Sequence, residues 1–151
     1  MIASGFHLAQ LNVATLLAPL DDPRLAEFVA NLDRVNALAE AAPGFVWRLK
    51  GEGNDATSLR PFGESVIVNM SIWQSVETLF DFVYRTGHAP VMNKRRQWFA
   101  KPQGPYMVLW WIAAGRLPTV EEAGERLARL ARDGPSPAAF TFKQRFQAPE
   151  G

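Results

Sequence analysis

The chain has 151 residues and a net charge of +1, with 48% hydrophobic and 21% charged residues. This length fits one domain over residues 1–151 with a core of its own, and the composition excludes a disordered chain. The near-neutral charge gives no electrostatic case for nucleic acid or an anionic membrane as the main partner, and the absence of cysteine excludes disulfides and thiolate chemistry.

The sequence shows neither a secretion signal nor a membrane-spanning segment. Its start lacks a basic region followed by an apolar run, and the longest apolar stretches, residues 66–68 and 107–114, are too short to cross a bilayer. The lack of cysteine fits a reducing compartment. We therefore expect a cytoplasmic protein.

Hydrophobic periodicity and turn residues divide the chain into strands and helices. In chain order we predict a strand at 6–13, a helix at 22–42, a strand at 45–50, a loop at 51–63, a strand at 65–73, helices at 75–87 and 88–99, a strand at 106–114, a helix at 119–133 and a strand at 139–146.

Capping residues support the helix boundaries. Asp22, followed by Pro23, provides an N-cap and a first turn for the first long helix. Ser75 opens the second helix, and Thr119 caps the last one, which ends at Gly134.

The first part of this order, with the two adjacent helices taken as a pair, follows a ferredoxin-like sandwich, β-α-β-β-α-β, and a further helix and strand come after it. A small open sheet with helices on one face leaves its other face bare, yet strands 65–73 and 106–114 carry apolar residues on both faces. We therefore predict an α+β fold in which two chains form a homodimer, a dimeric α+β barrel.

His88 is the strongest candidate for a catalytic or ligand-binding residue, because it lies at a predicted break between two helices. Met92, Arg95, Arg96 and Phe99 follow it on one side of the second helix. One interpretation makes His88 an axial ligand to haem iron or a general base, with Arg95 or Arg96 anchoring an anionic group. The other makes His88 a helix N-cap and the arginines a solvated face.

Aromatic residues suggest a pocket for a planar ligand. The chain has five tryptophans, Trp47, Trp73, Trp98, Trp110 and Trp111. Large rings can wall a ligand site or can fill a core and a dimer interface. Under the first interpretation the wall consists of Trp73, Tyr84, Trp98 and Phe99.

Polar residues on the predicted strands are a further set of candidates. Gln10 and Asn12 share one face of the first strand, and Asn69, Ser71 and Trp73 share one face of the third. Facing a cavity, they could orient a ligand, or hold oxygen or an enolate in a cofactor-free oxygenase. Alternation cannot decide which face points inward.

No motif points to a dedicated metal site or to a nucleophile. His7 is the only other histidine, and neither histidine has a carboxylate near it in sequence. The chain lacks a Gly-x-Ser-x-Gly elbow and phosphate-binding glycine loops. A metal is expected only if His88 holds haem.

Several segments together resemble the bacterial family known as domain of unknown function 3291. The similarity is carried by residues 73–84 with His88, 95–99, 108–111, Gly115, 118–123 and 134–142. That family resembles the dimeric α+β barrel superfamily, which includes antibiotic-biosynthesis monooxygenases and haem-degrading enzymes.

The resemblance implies a homodimer with a pocket between helices and sheet, and it supports His88 as the residue for ligation or proton transfer. It implies an oxygenase-like enzyme, haem-dependent or cofactor-free, acting on a small apolar or aromatic substrate. A non-catalytic dimer that binds a small molecule or another protein is the alternative. Function transferred at the level of fold is analogy.

Overall fold

The structure, a computed structural model, is built on one antiparallel sheet and describes residues 5–51, 55–85 and 95–149. The strands are β1 (Phe6–Thr15), β2 (Phe45–Arg48), β3 (Val66–Trp73) and β4 (Met107–Ala113), in the order β2-β3-β1-β4. The helices are α1 (Ala26–Ala41), α2 (Val76–Arg85), the short α3 (Arg95–Trp98) and α4 (Val120–Asp133). None of these described helices could cross a membrane.

This arrangement confirms the predicted α+β, ferredoxin-like fold. The helices α2 and α4 begin directly after the predicted caps Ser75 and Thr119, whereas α1 begins at Ala26, later than Asp22 indicated. Asp22 accepts a backbone hydrogen bond from the 3₁₀ turn Pro23–Leu25 that leads into α1. Ser75 Oγ accepts the Thr78 N–H at 3.1 Å while Thr78 Oγ1 accepts the Ser75 N–H at 3.2 Å, and Thr119 caps α4.

The register of the sheet brings the polar strand residues together on one face. Gln10 on β1 pairs with Ser71 on β3, and Asn12 pairs with Asn69. Directly opposed residues share a face of the sheet. We call this face, which also carries Trp73 and lies toward α1 and α2, the cavity face.

The other face of the sheet is apolar and is covered by α4. Its buried residues pack with Ala123 and Leu130 of that helix, and they are Ala9, Leu11, Met70, Ile72, Val108, Trp110 and Ile112. Both faces are therefore covered, as predicted, but within one chain. The homodimer was predicted because one face of the sheet would otherwise be exposed. Since α4 covers that face, this argument no longer supports the homodimer, which stays a prediction.

A bulge in β2 changes which of its residues reach the cavity face. Phe45 lies opposite Trp73 and Arg48 lies opposite Ser71, with an irregularity between Phe45 and Trp47. In a regular strand, residues three apart point to opposite faces. The extra residue places Phe45 and Arg48 on the same face.

The predicted final strand at 139–146 is wrong. Phe140 makes one bridge to Leu109, and their backbone groups exchange two hydrogen bonds of 2.8 Å. The chain then turns, because Thr141 Oγ1 accepts the Gln144 N–H at 3.3 Å and Arg145 Nε donates to the Phe142 carbonyl at 3.1 Å. Local side-chain to backbone bonds replace the ladder here.

Candidate functional site

A cavity of about 240 Å³ lies between the cavity face and the helices α1 and α2. Apolar side chains of α1 and α2, among them Leu32, Val35 and Phe82, line it opposite the polar strand residues. Pockets for drug-sized ligands measure roughly 300–1,000 Å³. The volume therefore suits a small molecule of two or three fused rings.

Four polar side chains form a hydrogen-bonded network along the sheet side of the cavity. Gln10 Nε2 donates to Asn69 Oδ1 at 2.7 Å and to Ser71 Oγ at 2.8 Å, and Gln10 Oε1 accepts from Asn12 Nδ2 at 3.0 Å. Gln10 is 2% exposed and Ser71 is 6% exposed. These buried hydrogen bonds hold the side chains of Gln10 and Ser71 in fixed directions.

Trp73 is held rigidly at one end of this network. Its indole Nε1 donates to Ser71 Oγ at 2.8 Å. Its ring stacks on Phe82 with centroids 5.2 Å apart and meets the edge of Phe45 at 5.5 Å. Trp73 thus forms a flat, immobile wall that is tied to this network of polar side chains, which we call the polar row.

A second aromatic wall is built from the segment around α3. Trp98, which is 2% exposed, packs with its centroid 5.5 Å from that of Phe28 on α1, and Phe99 meets Phe28 edge-on at 5.1 Å. Tyr84 lines the cavity at the end of α2 and is 53% exposed. Tyr84 therefore belongs to the outer part of the cavity lining.

Arg48 is a cavity residue that the sequence patterns did not single out. It is 6% exposed, lines the cavity, and its Nε lies 3.6 Å from Glu40 Oε2. Its strand position was predicted, but its face depends on the β2 bulge. The sequence offered one indication of this role, which is a charged residue inside a short predicted strand. Buried cations are rare unless they have a specific partner or function.

The structure brings five predicted ligand-binding residues to the same cavity. Asn69, Trp73, Tyr84, Trp98 and Phe99 all line it. Their binding of a ligand stays a prediction.

The other predicted site residues are not placed by the described part of the chain. His88 and Met92 lie outside the described residues. The backbone of Arg95 and Arg96 belongs to α3, while their side chains lie outside what is described.

The described residues do not fit a haem site. The cavity is smaller than the pockets that hold drug-sized ligands, and a tetrapyrrole is at least that large. His7 pairs with Ile112 and points to the face opposite Gln10 and Asn12. Among the described residues no three metal-ligating side chains cluster. The iron ligand proposed from sequence, His88, lies outside this part of the chain.

The fold and the cavity define a ferredoxin-like α+β domain with a ligand-sized space between sheet and helices. Similarity to solved structures supports the same fold. A protein of unknown function from Nitrosomonas europaea matches with a TM-score of 0.50 and 20% identity, over 76% of this chain and 97% of its own. A protein from Pseudomonas aeruginosa matches with a TM-score of 0.50 and 11% identity, over 78% of this chain and 100% of its own.

A third similar structure is SnoaB, a cofactor-independent oxygenase from Streptomyces nogalater, with a TM-score of 0.47 and 20% identity over 75% of this chain and 98% of its own. No curated protein matches the chain. The model of the family described as Domain of unknown function (DUF3291) matches residues 7–151. The chain belongs to this family, which confirms the resemblance seen in the sequence.

Proposed function

We propose that the protein is a cofactor-free oxygenase that acts on a small fused-ring ketone bound in the cavity. The observation that supports this most is the pairing of a rigid indole wall with a row of fixed polar groups in a space of about 240 Å³. An aromatic ring system would pack against Trp73, and its oxygen would face the polar row.

Oxygenation without a cofactor places specific demands on the substrate. Dioxygen is a triplet and reacts with a closed-shell molecule only after one-electron transfer, which cofactors usually provide. A ketone with an acidic neighbouring C–H can supply the electron itself once it becomes an enolate. The protein then has to remove a proton, stabilise the enolate oxygen and exclude water.

Asp55 is the described carboxylate that lines the cavity, and we assign it the proton-accepting role. Its Oδ1 accepts from the Thr57 N–H at 2.9 Å and from Thr57 Oγ1 at 2.5 Å, which fixes the carboxylate. His88 is the other candidate base and rests on the sequence alone. Substituting Asp55 and His88 in separate variants distinguishes these two candidate bases.

Turnover of anthrone tests this proposal. Anthrone and O₂ would give anthraquinone and water, with one O₂ consumed for each anthrone. We expect the reaction with added chelator and no cofactor, measured with an oxygen electrode and by the anthraquinone absorbance. Asp55→Asn should lower kcat by at least about a hundredfold, because a general base typically contributes 10²–10⁴.

The exposed Asp21→Asn provides the matched control and should keep full activity. Oxygen uptake no faster than in protein-free buffer, with anthrone bound, would contradict the enzyme proposal. It would favour the alternative, a non-catalytic binding protein. That alternative has one observation in its favour, since the carboxamides of Gln10 and Asn69 bind one another and are not acids or bases.

The haem-dependent form of the proposal depends on His88. Titration with haemin decides it, because a saturable Soret band that is lost in His88→Ala would establish haem binding. We further propose that the protein is a cytoplasmic homodimer. Light scattering that gives the mass of a single chain in solution would contradict the proposed homodimer.

A further inference from the structure

The Ser71 hydroxyl has a hydrogen that the described residues leave without an acceptor. Trp73 Nε1 and Gln10 Nε2 each donate to Ser71 Oγ at 2.8 Å. Indole and amide nitrogens only donate, and a hydroxyl oxygen accepts two such bonds through its two lone pairs. Both acceptor positions of Ser71 are therefore filled, and its own O–H remains to be used as a donor.

This donor is buried and belongs to the cavity lining. Ser71 is 6% exposed. A buried O–H without an acceptor costs free energy, so a ligand that supplies an acceptor gains from pairing with it. The two donors to Ser71 Oγ also polarise the hydroxyl, which strengthens the bond that it gives.

The neighbourhood of Ser71 favours an oxygen that carries negative charge. Gln10, Ser71 and Arg48 stand side by side across β1, β3 and β2 on the cavity face. Arg48 is 6% exposed, while its ion-pair partner Glu40, at 3.6 Å, has a side chain that is 43% exposed. Solvent screens the exposed carboxylate more than the buried guanidinium, so Arg48 favours negative charge on a ligand oxygen held beside Ser71.

We propose that Ser71 is the specificity-determining residue of the cavity and that its hydroxyl donates to the carbonyl oxygen of a fused-ring ketone. This inference deepens the proposed function and rests on it for the class of ligand. As the ketone becomes an enolate, charge grows on that oxygen and the Ser71 hydrogen bond strengthens. The same ring system without the oxygen leaves the hydroxyl without an acceptor and binds more weakly.

The carbonyl stretch of a bound ketone tests this directly. We would record infrared difference spectra of ¹³C-carbonyl 1-tetralone bound to the wild type, Ser71→Ala and Ser71→Thr. A hydrogen bond lowers the stretching frequency. We expect a lowered frequency in the wild type and in Ser71→Thr, and a frequency close to that in an apolar solvent in Ser71→Ala.

Affinity gives a second readout with the same variants. The wild type should prefer 1-tetralone to tetralin, its oxygen-free counterpart, and Ser71→Ala should lose at least about tenfold of that preference. If Ser71→Ala does not fold, Ser71→Cys keeps the shape of the side chain with a somewhat larger atom and replaces the hydroxyl by a weaker donor. That variant should give a frequency between the wild-type and apolar-solvent values.

Two results would overturn the assignment. A lowered frequency that persists in Ser71→Ala or is undiminished in Ser71→Cys would show that another group, such as the Trp73 N–H, donates to the ketone. Equal affinity of the wild type for 1-tetralone and tetralin would remove the specificity role. Neither readout requires O₂ or turnover, so a failure of catalysis and a failure of this inference are separate outcomes.

Discussion

Gln10 is the residue on which the polar row of the cavity depends. Its amide donates to Asn69 and Ser71 and accepts from Asn12, although Gln10 itself is 2% exposed. Replacing it by Met keeps the length of the side chain but removes all three bonds. We expect Gln10→Met to lower the free energy of unfolding by about 1–3 kcal/mol, since it removes hydrogen bonds to the buried Ser71 and the half-buried Asn12.

Urea denaturation measures this effect, and Gln74→Met serves as the control. Gln74 follows the end of β3 and is exposed, so the same substitution there should change the stability by less than about 0.5 kcal/mol. Equal effects of the two substitutions would show that the network adds nothing to the stability of the fold.

Single residues also show where sequence patterns succeed and where they fail. Alternation placed Asn69, Ser71 and Trp73 on one face, and the structure confirms this grouping. The inward direction of that face could not be predicted, because a period of two is the same for either face. Arg48 could not be placed, because a bulge is a feature of strand pairing and has no clear signal in one strand.

At the level of elements, the start of α2 is fixed by the turn between α1 and β2. Gly44 has a positive φ of 84°, and its carbonyl accepts the Gln74 N–H at 2.8 Å. A Cβ on Gly44 would lie 2.5 Å from the Thr78 side chain, which caps α2. Glycine is therefore required both by the backbone conformation and by the close approach of these elements.

We expect Gly44→Ala to destabilise the protein by more than about 1 kcal/mol, because strain and a clash act together. Thermal unfolding followed by circular dichroism measures it. Gly104→Ala is the matched control, since a Cβ there meets nothing within 4 Å. If Gly44→Ala is as stable as Gly104→Ala, the contact between the turn and α2 does not contribute to the fold.

Element prediction failed where local hydrogen bonds outweighed hydrophobic alternation. Phe140 and Phe142 suggested a strand, yet Phe140 alone pairs with β4. Beyond it, Trp111 Nε1 donates to the Phe146 carbonyl at 2.8 Å, which ties the irregular segment to the sheet. The aromatic residues pack as expected, but the backbone satisfies its groups in turns.

On the scale of the whole molecule, the sheet separates two layers with different roles. In the described part of the chain, the α4 layer buries a cluster of apolar side chains, including Trp110 at 0% exposure, and serves the core. The layer of α1 and α2 leaves the cavity open above the polar row. The ferredoxin-like order and the covering of both faces of the sheet followed from the sequence, but the sequence assigned the second face to a partner chain and not to α4. The depth and volume of the cavity depend on packing across elements that are distant in the chain.

Ligand binding inside this cavity is the central claim, and one titration tests it most directly. The quenching of tryptophan fluorescence by 1-tetralone would be compared between the wild type, Val35→Phe and Val29→Phe. Val35 lines the cavity, while Val29 on the same helix is 41% exposed. We predict that Val35→Phe weakens binding at least about tenfold and that Val29→Phe leaves it unchanged. Equal affinity of all three proteins would contradict a ligand site between the sheet and α1.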